Sequence, residues 1–348
     1  MSYRPSLLDR VLDASIYFSF DASGYRRHAR HFDAEDLQVD LTGRRVLITG
    51  ANSGLGKVAA LSLGQLGAEV WMLCRNRERG EAALADLNTA TGRDDGRLEL
   101  VDLSDLGSVR DLARRLGSTP VDVLVHNAGA LVHRRTLVET QNDTELELTW
   151  ATHVVGPTLL TELLLPNLRA ATEHNGDGAR GGSRVVTVTS GGMYTERLNV
   201  GDLDWQKRRF DGVVAYAQAK RAQVVLTELW ARRLADDGVT VNAMHPGWAD
   251  TPGVREALPA FWRFTRKRLR SPRQGADTIV WLAAAEAAGK HSGELFFDRR
   301  VVSPYLLPGK RESEEERATL WRRVREQAGL APTAAPRPRS SEESAGEP

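Results

Sequence analysis

The chain has 348 residues, 41% of them hydrophobic, which suits one large α/β domain with extensions and an ample core. Its 47 Lys+Arg and 46 Asp+Glu leave a net charge of +1, which excludes a global field calling for nucleic acid. A lone cysteine, Cys74, excludes an internal disulfide, offers no zinc-ligand spacing and fits a reducing, cytoplasmic compartment, and no apolar run approaches the ~18 residues of a membrane span.

Residues 1–41 precede the first strand and read as a partly helical extension, with Leu7, Leu8, Val11, Leu12, Ile16, Tyr17 and Phe20 at near-helical spacing. Asp9 and Asp13 break any signal-peptide core, so the expectation is a helix docked on the domain, with a dimer or membrane-surface contact as the sharper alternative. Between 42 and 330 strands alternate with helices. The strands are expected near 44–49, 68–73, 97–101, 121–125, 183–189, 239–244 and 294–297. The helices are expected near 55–66, 78–89, 105–116, 145–170, 213–235 and 272–288. That alternation predicts one doubly wound, Rossmann-type domain with seven parallel strands ordered 3-2-1-4-5-6-7 and helices on both faces. Residues 331–348, rich in Pro, Ser, Glu and Ala, read as a disordered tail.

Chemistry concentrates at three places along this frame. The first strand runs into Gly50-Ala-Asn52-Ser53-Gly54-Leu55-Gly56 and then a helix, the strand–turn–helix arrangement that sets backbone N–H groups against a pyrophosphate. The second strand ends in Cys74-Arg75-Asn76-Arg77, where an acidic residue would favour NAD; the basic tip, with Arg75 as phosphate reader, predicts NADP(H), with NAD(H) as the alternative. Tyr216 and Lys220 lie four residues apart on a helix, so both leave one face, and an ammonium there would pull the phenol's pKa toward neutrality. A tyrosine so tuned exchanges a proton with a carbonyl or an alcohol.

Taken in order with His126-Asn127-Ala128-Gly129, Val188-Thr189-Ser190 and Pro246-Gly247 followed by Thr251, these motifs resemble the short-chain dehydrogenase/reductase family over about 42–300. A closer likeness to one branch rests on Thr189 to Met193, Arg221 to Glu228 and Met244 to Arg255. The resemblance implies Tyr216 as general acid/base, with Lys220 lowering its pKa and binding the nicotinamide ribose, and Ser190 bonding the reacting oxygen. It implies Asp102 and Leu103 facing the adenine, and Asn127, Ala128 and Gly129 supporting the central strand. Pro246, Gly247 and Thr251 would cradle the nicotinamide side. Many relatives pair as homo-oligomers through the helix bearing the tyrosine and its neighbour.

The His126-Asn127-Ala128-Gly129 stretch fits the family pattern, where Asn-Asn-Ala-Gly is usual, and one position departs from it: His153-Val-Val-Gly156 replaces Asn-x-x-Gly. The usual Asn holds a helix kink whose carbonyl leads, through water, to the lysine. Met193, Tyr194, Trp205 and Phe210 on one side of the site, and Leu258, Phe261, Trp262 and Phe264 on the other, predict a hydrophobic carbonyl or secondary alcohol. The expected function is therefore NADP(H)-dependent hydride transfer. A cofactor-binding scaffold with little turnover is the competing reading, and His153 is the feature in its favour.

Overall fold

The computed structural model describes residues 7–140, 145–175, 182–306 and 311–337. Strand β1 (Arg45–Thr49) lies at the centre of the sheet, and Val46, Leu47 and Ile48 are fully buried, as an apolar run covered on both faces must be. It pairs in parallel with β2 (Glu69–Cys74) and β4 (Val123–His126). Beyond β2 lies β3 (Arg97–Leu100); beyond β4 come β7 (Arg184–Val188), β8 (Thr240–Met244) and β9 (Leu295–Phe297), all parallel. These seven follow the expected order 3-2-1-4-5-6-7. The sheet nevertheless has eight strands: β10 (Arg300–Val301) adds antiparallel to β9 through a two-residue turn. In that turn Asp298 and Arg299 both have positive φ (51° and 58°), a conformation usually announced by Gly or Asn, so the sequence carries no signal for it. A separate hairpin joins β5 (Leu137–Glu139) and β6 (Glu145–Glu147).

Helices cover both faces. On one, α4 (Gly54–Gln65), α5 (Arg77–Thr91) and α13 (Pro272–Ala284) bury Ala59, Leu63, Leu87 and Ile279 against the sheet. On the other, α6 (Leu106–Leu116), α8 (Gly156–Leu163), α10 (Gly212–Arg233) and α14 (Glu314–Gln327) contribute Leu112, Leu159, Val225 and Trp321.

The helix expected over 145–170 is not continuous. Strand β6 leads into a short α7 (Leu148–Trp150), a π-helical turn over 151–155, then α8 and α9 (Leu165–Asn175). Pro157 has no N–H to give the carbonyl four residues earlier, that of His153, and the ladder loosens there. Gly156 presses on the Leu103 carbonyl, where a Cβ would lie 2.0 Å from the oxygen.

Two terminal segments complete the domain. Helix α14, which the elements read from sequence did not include, lies on α10: Trp321 packs on Trp230 with centroids 5.1 Å apart, and Arg317 pairs with Glu228 at 2.6 Å. It therefore covers part of the α10 surface that the family resemblance offered for pairing. Ala331 and Thr333 remain hydrogen-bonded to Arg325 and Trp321, and Ala335 packs on the core; residues 338–348 of the expected tail lie outside the described residues. At the other end, α1 (Leu7–Ala14), α2 (Ile16–Phe20) and α3 (Ala22–His28) dock beside β9. Phe20 packs among His245, Trp248 and Phe297. His28 lies between Asp13 (2.8 Å) and Asp298 (2.6 Å), and Arg270 holds Asp298 with two further bonds.

Candidate functional site

The glycine turn sits at the C-terminal edge of the sheet. Gly50 and Gly54 have positive φ (67° and 55°), and Ser53 opens α4 with no side-chain cap, leaving the helix N-terminus free to face an anion. Gly56 has another role: a Cβ there would lie 2.3 Å from the Asn127 amide and 2.6 Å from the Gly50 carbonyl. Asn127 in turn donates to the carbonyls of Thr49 (2.9 Å) and Gly50 (3.2 Å), while the Thr49 hydroxyl accepts from the N–H groups of Asn127 and Ala128. These residues brace the turn from the neighbouring strand. Across from it, Thr251 caps α11 (Pro252–Ala257) and would meet a Cβ on Gly54 at 3.5 Å, so Gly54 and Thr251 form facing lips of one cleft.

At the adenosine end, the Arg75 side chain is 71% exposed and stands 3.6 Å from Asp102, bringing together two residues 27 positions apart. Asp102 also accepts from Ser104. The Leu103 side chain is buried in the core and its carbonyl packs on Gly156, so its side chain does not face the cleft. Burial pushes the Cys74 thiol up to about 11, which makes it inert. Beyond Thr251, the Pro246 carbonyl accepts from Arg270, and Gly247 (φ 67°) packs on the same guanidinium.

The three side chains expected to carry the chemistry converge. Ser190 follows β7, and its hydroxyl lies beside the Tyr216 phenol, which reaches it from α10. Lys220, one turn on, sends its ammonium to the Val188 carbonyl (2.8 Å), 5.5 Å from the tyrosine ring centre. Thr189 ties the two elements by donating to the Lys220 carbonyl. Burial pulls Lys220 down to about 7. The phenol does not follow the expectation from sequence: burial pushes it above its ordinary value, and the Ser190 hydroxyl offsets this only in part. Desolvation of the phenolate outweighs the help of its neighbours.

Beneath the tyrosine sits His153, its ring edge-on to that of Tyr216 with centroids 5.3 Å apart. It fills the space a side chain at Gly129 would need, since a Cβ there would lie 2.5 Å from the imidazole. The His153 carbonyl, freed by Pro157, accepts from the Gln223 amide at 2.9 Å. Gln223 is a site residue that the sequence reading missed, although Tyr216, Lys220 and Gln223 share one helix face at spacing i, i+4, i+7.

The substrate side differs from expectation in which residues line it. Met193 and Trp205 are buried in the body, and Tyr194 is tied to the Ser303 carbonyl, so these side chains pack the 191–210 segment. Phe20 from the N-terminal extension instead reaches Gly191, where a Cβ would lie 2.4 Å from its ring. Nothing in sequence spacing links residue 20 to residue 191. On the other flank, Phe261 of α12 (Pro259–Thr265) packs on Trp248, while Phe264 is 86% exposed.

Comparison with known proteins agrees with this architecture. The family described as short chain dehydrogenase matches residues 44–260. Dehydrogenase/reductase SDR family member 12 of Bos taurus is 40% identical over 303 residues, covering 86% of this chain and 91% of the relative. Retinol dehydrogenase 13 of Mus musculus is 33% identical, with 84% and 86% covered. A crystal structure of an uncharacterised protein from Mycobacterium Paratuberculosis superposes with a TM-score of 0.64 at 29% identity, covering 84% of this chain and 96% of that one.

Proposed function

The chain belongs to the short chain dehydrogenase family of oxidoreductases, and we propose that within it the protein is an NADP(H)-dependent enzyme that interconverts a carbonyl and a secondary alcohol. The observation that carries this reading is the convergence of Ser190, Tyr216 and Lys220, with the ammonium 5.5 Å from the tyrosine ring centre and one helical turn away. The residues present suit a dinucleotide. The open N-terminus of α4 and the Gly54–Thr251 lips would hold the pyrophosphate, Arg75 the adenosine phosphate, and Lys220 the nicotinamide-side ribose. The bound dinucleotide supplies or accepts a hydride at the nicotinamide ring. Tyr216 gives the carbonyl oxygen its proton, and Ser190 donates a hydrogen bond to the same oxygen as charge develops on it. Lys220, as ammonium, stabilises the phenolate left on Tyr216.

An apolar carbonyl or alcohol as substrate is supported by the wall of Phe20, Phe261 and Trp248 and by the likeness to retinol dehydrogenase 13. Among the described residues no helix is long and apolar enough to cross a membrane. A peripheral lipid contact is supported instead by the exposed Ile16, Tyr17, Phe18 and Phe264 beside the exposed cations Arg263, Arg266 and Lys267.

Calorimetric titration with NADPH and NADH tests the cofactor assignment. NADPH is expected to bind more tightly, and Arg75→Asp to reverse the preference. Tighter NADH binding by the native protein would overturn the reading of Arg75. Failure of the folded protein to bind either would overturn the oxidoreductase reading and the cofactor-binding scaffold alike.

A further inference from the structure

A small void of about 30 Å³ lies behind the site, between β4, β7, β8 and helices α8 and α10. Its walls include His126, His153, Gln223 and four threonines, Thr161 among them, beside aliphatic side chains and Trp230. Three buried polar atoms of these residues have no hydrogen-bond partner in the protein: His126 Nδ1, His153 Nδ1 and Gln223 Oε1. Both histidines stand where the family usually has Asn.

The hydrogen-bond roles of these atoms follow from their neighbours. Thr161 donates its hydroxyl to the Pro157 carbonyl (2.9 Å), so toward His126 Nε2 (2.8 Å) it accepts. Nε2 of His126 thus carries the proton, and Nδ1 is an acceptor. Gln223 donates its amide to the His153 carbonyl, leaving Oε1 as a second acceptor. His153 Nε2 lies 2.8 Å from the Ala130 carbonyl and 3.0 Å from the Ala130 N–H, so each tautomer makes one of these two bonds and forgoes the other. Two acceptors and one undecided group are what a molecule with two donors and a free lone pair would satisfy.

We infer that this cavity is a buried water site, in which a water donates to His126 Nδ1 and Gln223 Oε1 and accepts from His153 Nδ1–H. Its volume meets the roughly 10–15 Å³ that a water needs, and the site offers the two to four polar partners that hold one. The water selects the Nδ1–H tautomer of His153, whose Nε2 then accepts from Ala130 N–H. So fastened, His153 is a positioning residue that keeps the Tyr216 ring in place; this last step rests on the proposed role of Tyr216.

Side-chain ¹⁵N NMR of the native protein reads the tautomers directly and independently of turnover. The expected result is Nε2–H for His126 and Nδ1–H for His153. A high-resolution crystal structure should show water within hydrogen-bond distance of all three atoms. An Nε2–H tautomer at His153, or a dry cavity that takes up xenon, overturns the inference. His126→Leu, which removes one acceptor, should leave His153 as a mixture of tautomers, whereas His126→Asn, which keeps an acceptor near the Nδ1 position, should restore the single tautomer. If the Leu variant fails to fold, the native spectrum still decides. A confirmed tautomer alongside undiminished turnover by Tyr216→Phe would leave the water site standing and overturn only the catalytic reading.

Discussion

Removing only the phenolic oxygen of Tyr216 separates chemistry from binding, because the ring continues to pack against His153. Tyr216→Phe is expected to lower kcat for carbonyl reduction by about 10²–10⁴-fold, the worth of a positioned general acid, while NADPH affinity by calorimetry stays within about twofold. Undiminished turnover would end the proposed mechanism. Lys220 sets a pH dependence. Its ammonium is the form that stabilises the phenolate, and with a pKa of about 7 in the free protein it is charged below that pH and neutral above. The kcat/KM for NADPH should therefore fall as pH rises past about 7, and Lys220→Arg, which stays charged, should flatten that limb. At this scale the sequence was largely legible. Tyr216, Lys220 and Gly54 announce themselves by spacing, since helix and turn geometry are local. The tyrosine's raised pKa was not legible, because desolvation depends on everything folded over the side chain.

Elements were readable where their signal is periodic or terminal, and unreadable where tertiary context decides. The buried strands β1 and β4 show as apolar runs, and α13 shows its Ser271–Gln274 capping box. Strand β10 is two residues long and reached through a turn without Gly, so no pattern marks it. The break at 151–155 follows from Pro157, a signal present in the sequence but masked by the apolar run around it. Helix α14 has its own capping box at Ser313 and Glu316 with Leu320, Trp321 and Val324 on one face, yet its many charges resemble a solvated surface.

The β9–β10 turn carries a further expectation. Asp298 is 2% exposed and Arg270 1%, and together with His28 they fasten the N-terminal helices to the domain. Removing one partner leaves a buried charge unpaired, so Asp298→Ala should destabilise the protein by about 3–5 kcal/mol, measured by denaturant unfolding. Burial alone would raise the Asp298 pKa, but the Arg270 charge and the His28 and Arg270 hydrogen bonds outweigh it and hold it at about 2. A carboxyl with a depressed folded pKa contributes stability above its ordinary value of 3.8 and loses it as pH falls toward 2. Acid should therefore loosen the extension in that window, seen as early hydrogen exchange over residues 15–28. Unchanged protection there at pH 2.5 would contradict the linkage.

Over the whole molecule, the net charge of +1 conceals a local asymmetry. Arg268 lies over the rings of Tyr17 and Phe18 (4.6 and 5.0 Å), and Trp248 links Tyr17 to Phe261, so the extension and α12 form one connected surface beside the substrate flank. Phe264 stands out from it at 86% exposure, and Arg263, Arg266 and Lys267 are exposed beside it. Apolar side chains ringed by cations fit an anionic lipid surface, where each cation contributes about 1 kcal/mol, so three together are worth roughly 10²-fold in binding. The full-length protein should co-sediment with phosphatidylcholine vesicles containing 30% phosphatidylserine, and much less with phosphatidylcholine alone. Replacing Arg263, Arg266 and Lys267 by Gln should reduce binding by about that 10²-fold, and Phe264→Ser should weaken it further at any salt concentration. Equal binding to neutral and anionic vesicles would contradict the role of the cations. Self-association in light scattering, abolished by Phe264→Ser and without vesicle binding, would assign the surface to a second copy of the chain. A lipid-facing surface next to Phe20 and Phe261 would let an apolar substrate pass from the bilayer to Ser190 with little exposure to water, which joins the peripheral contact to the substrate class in one physical account.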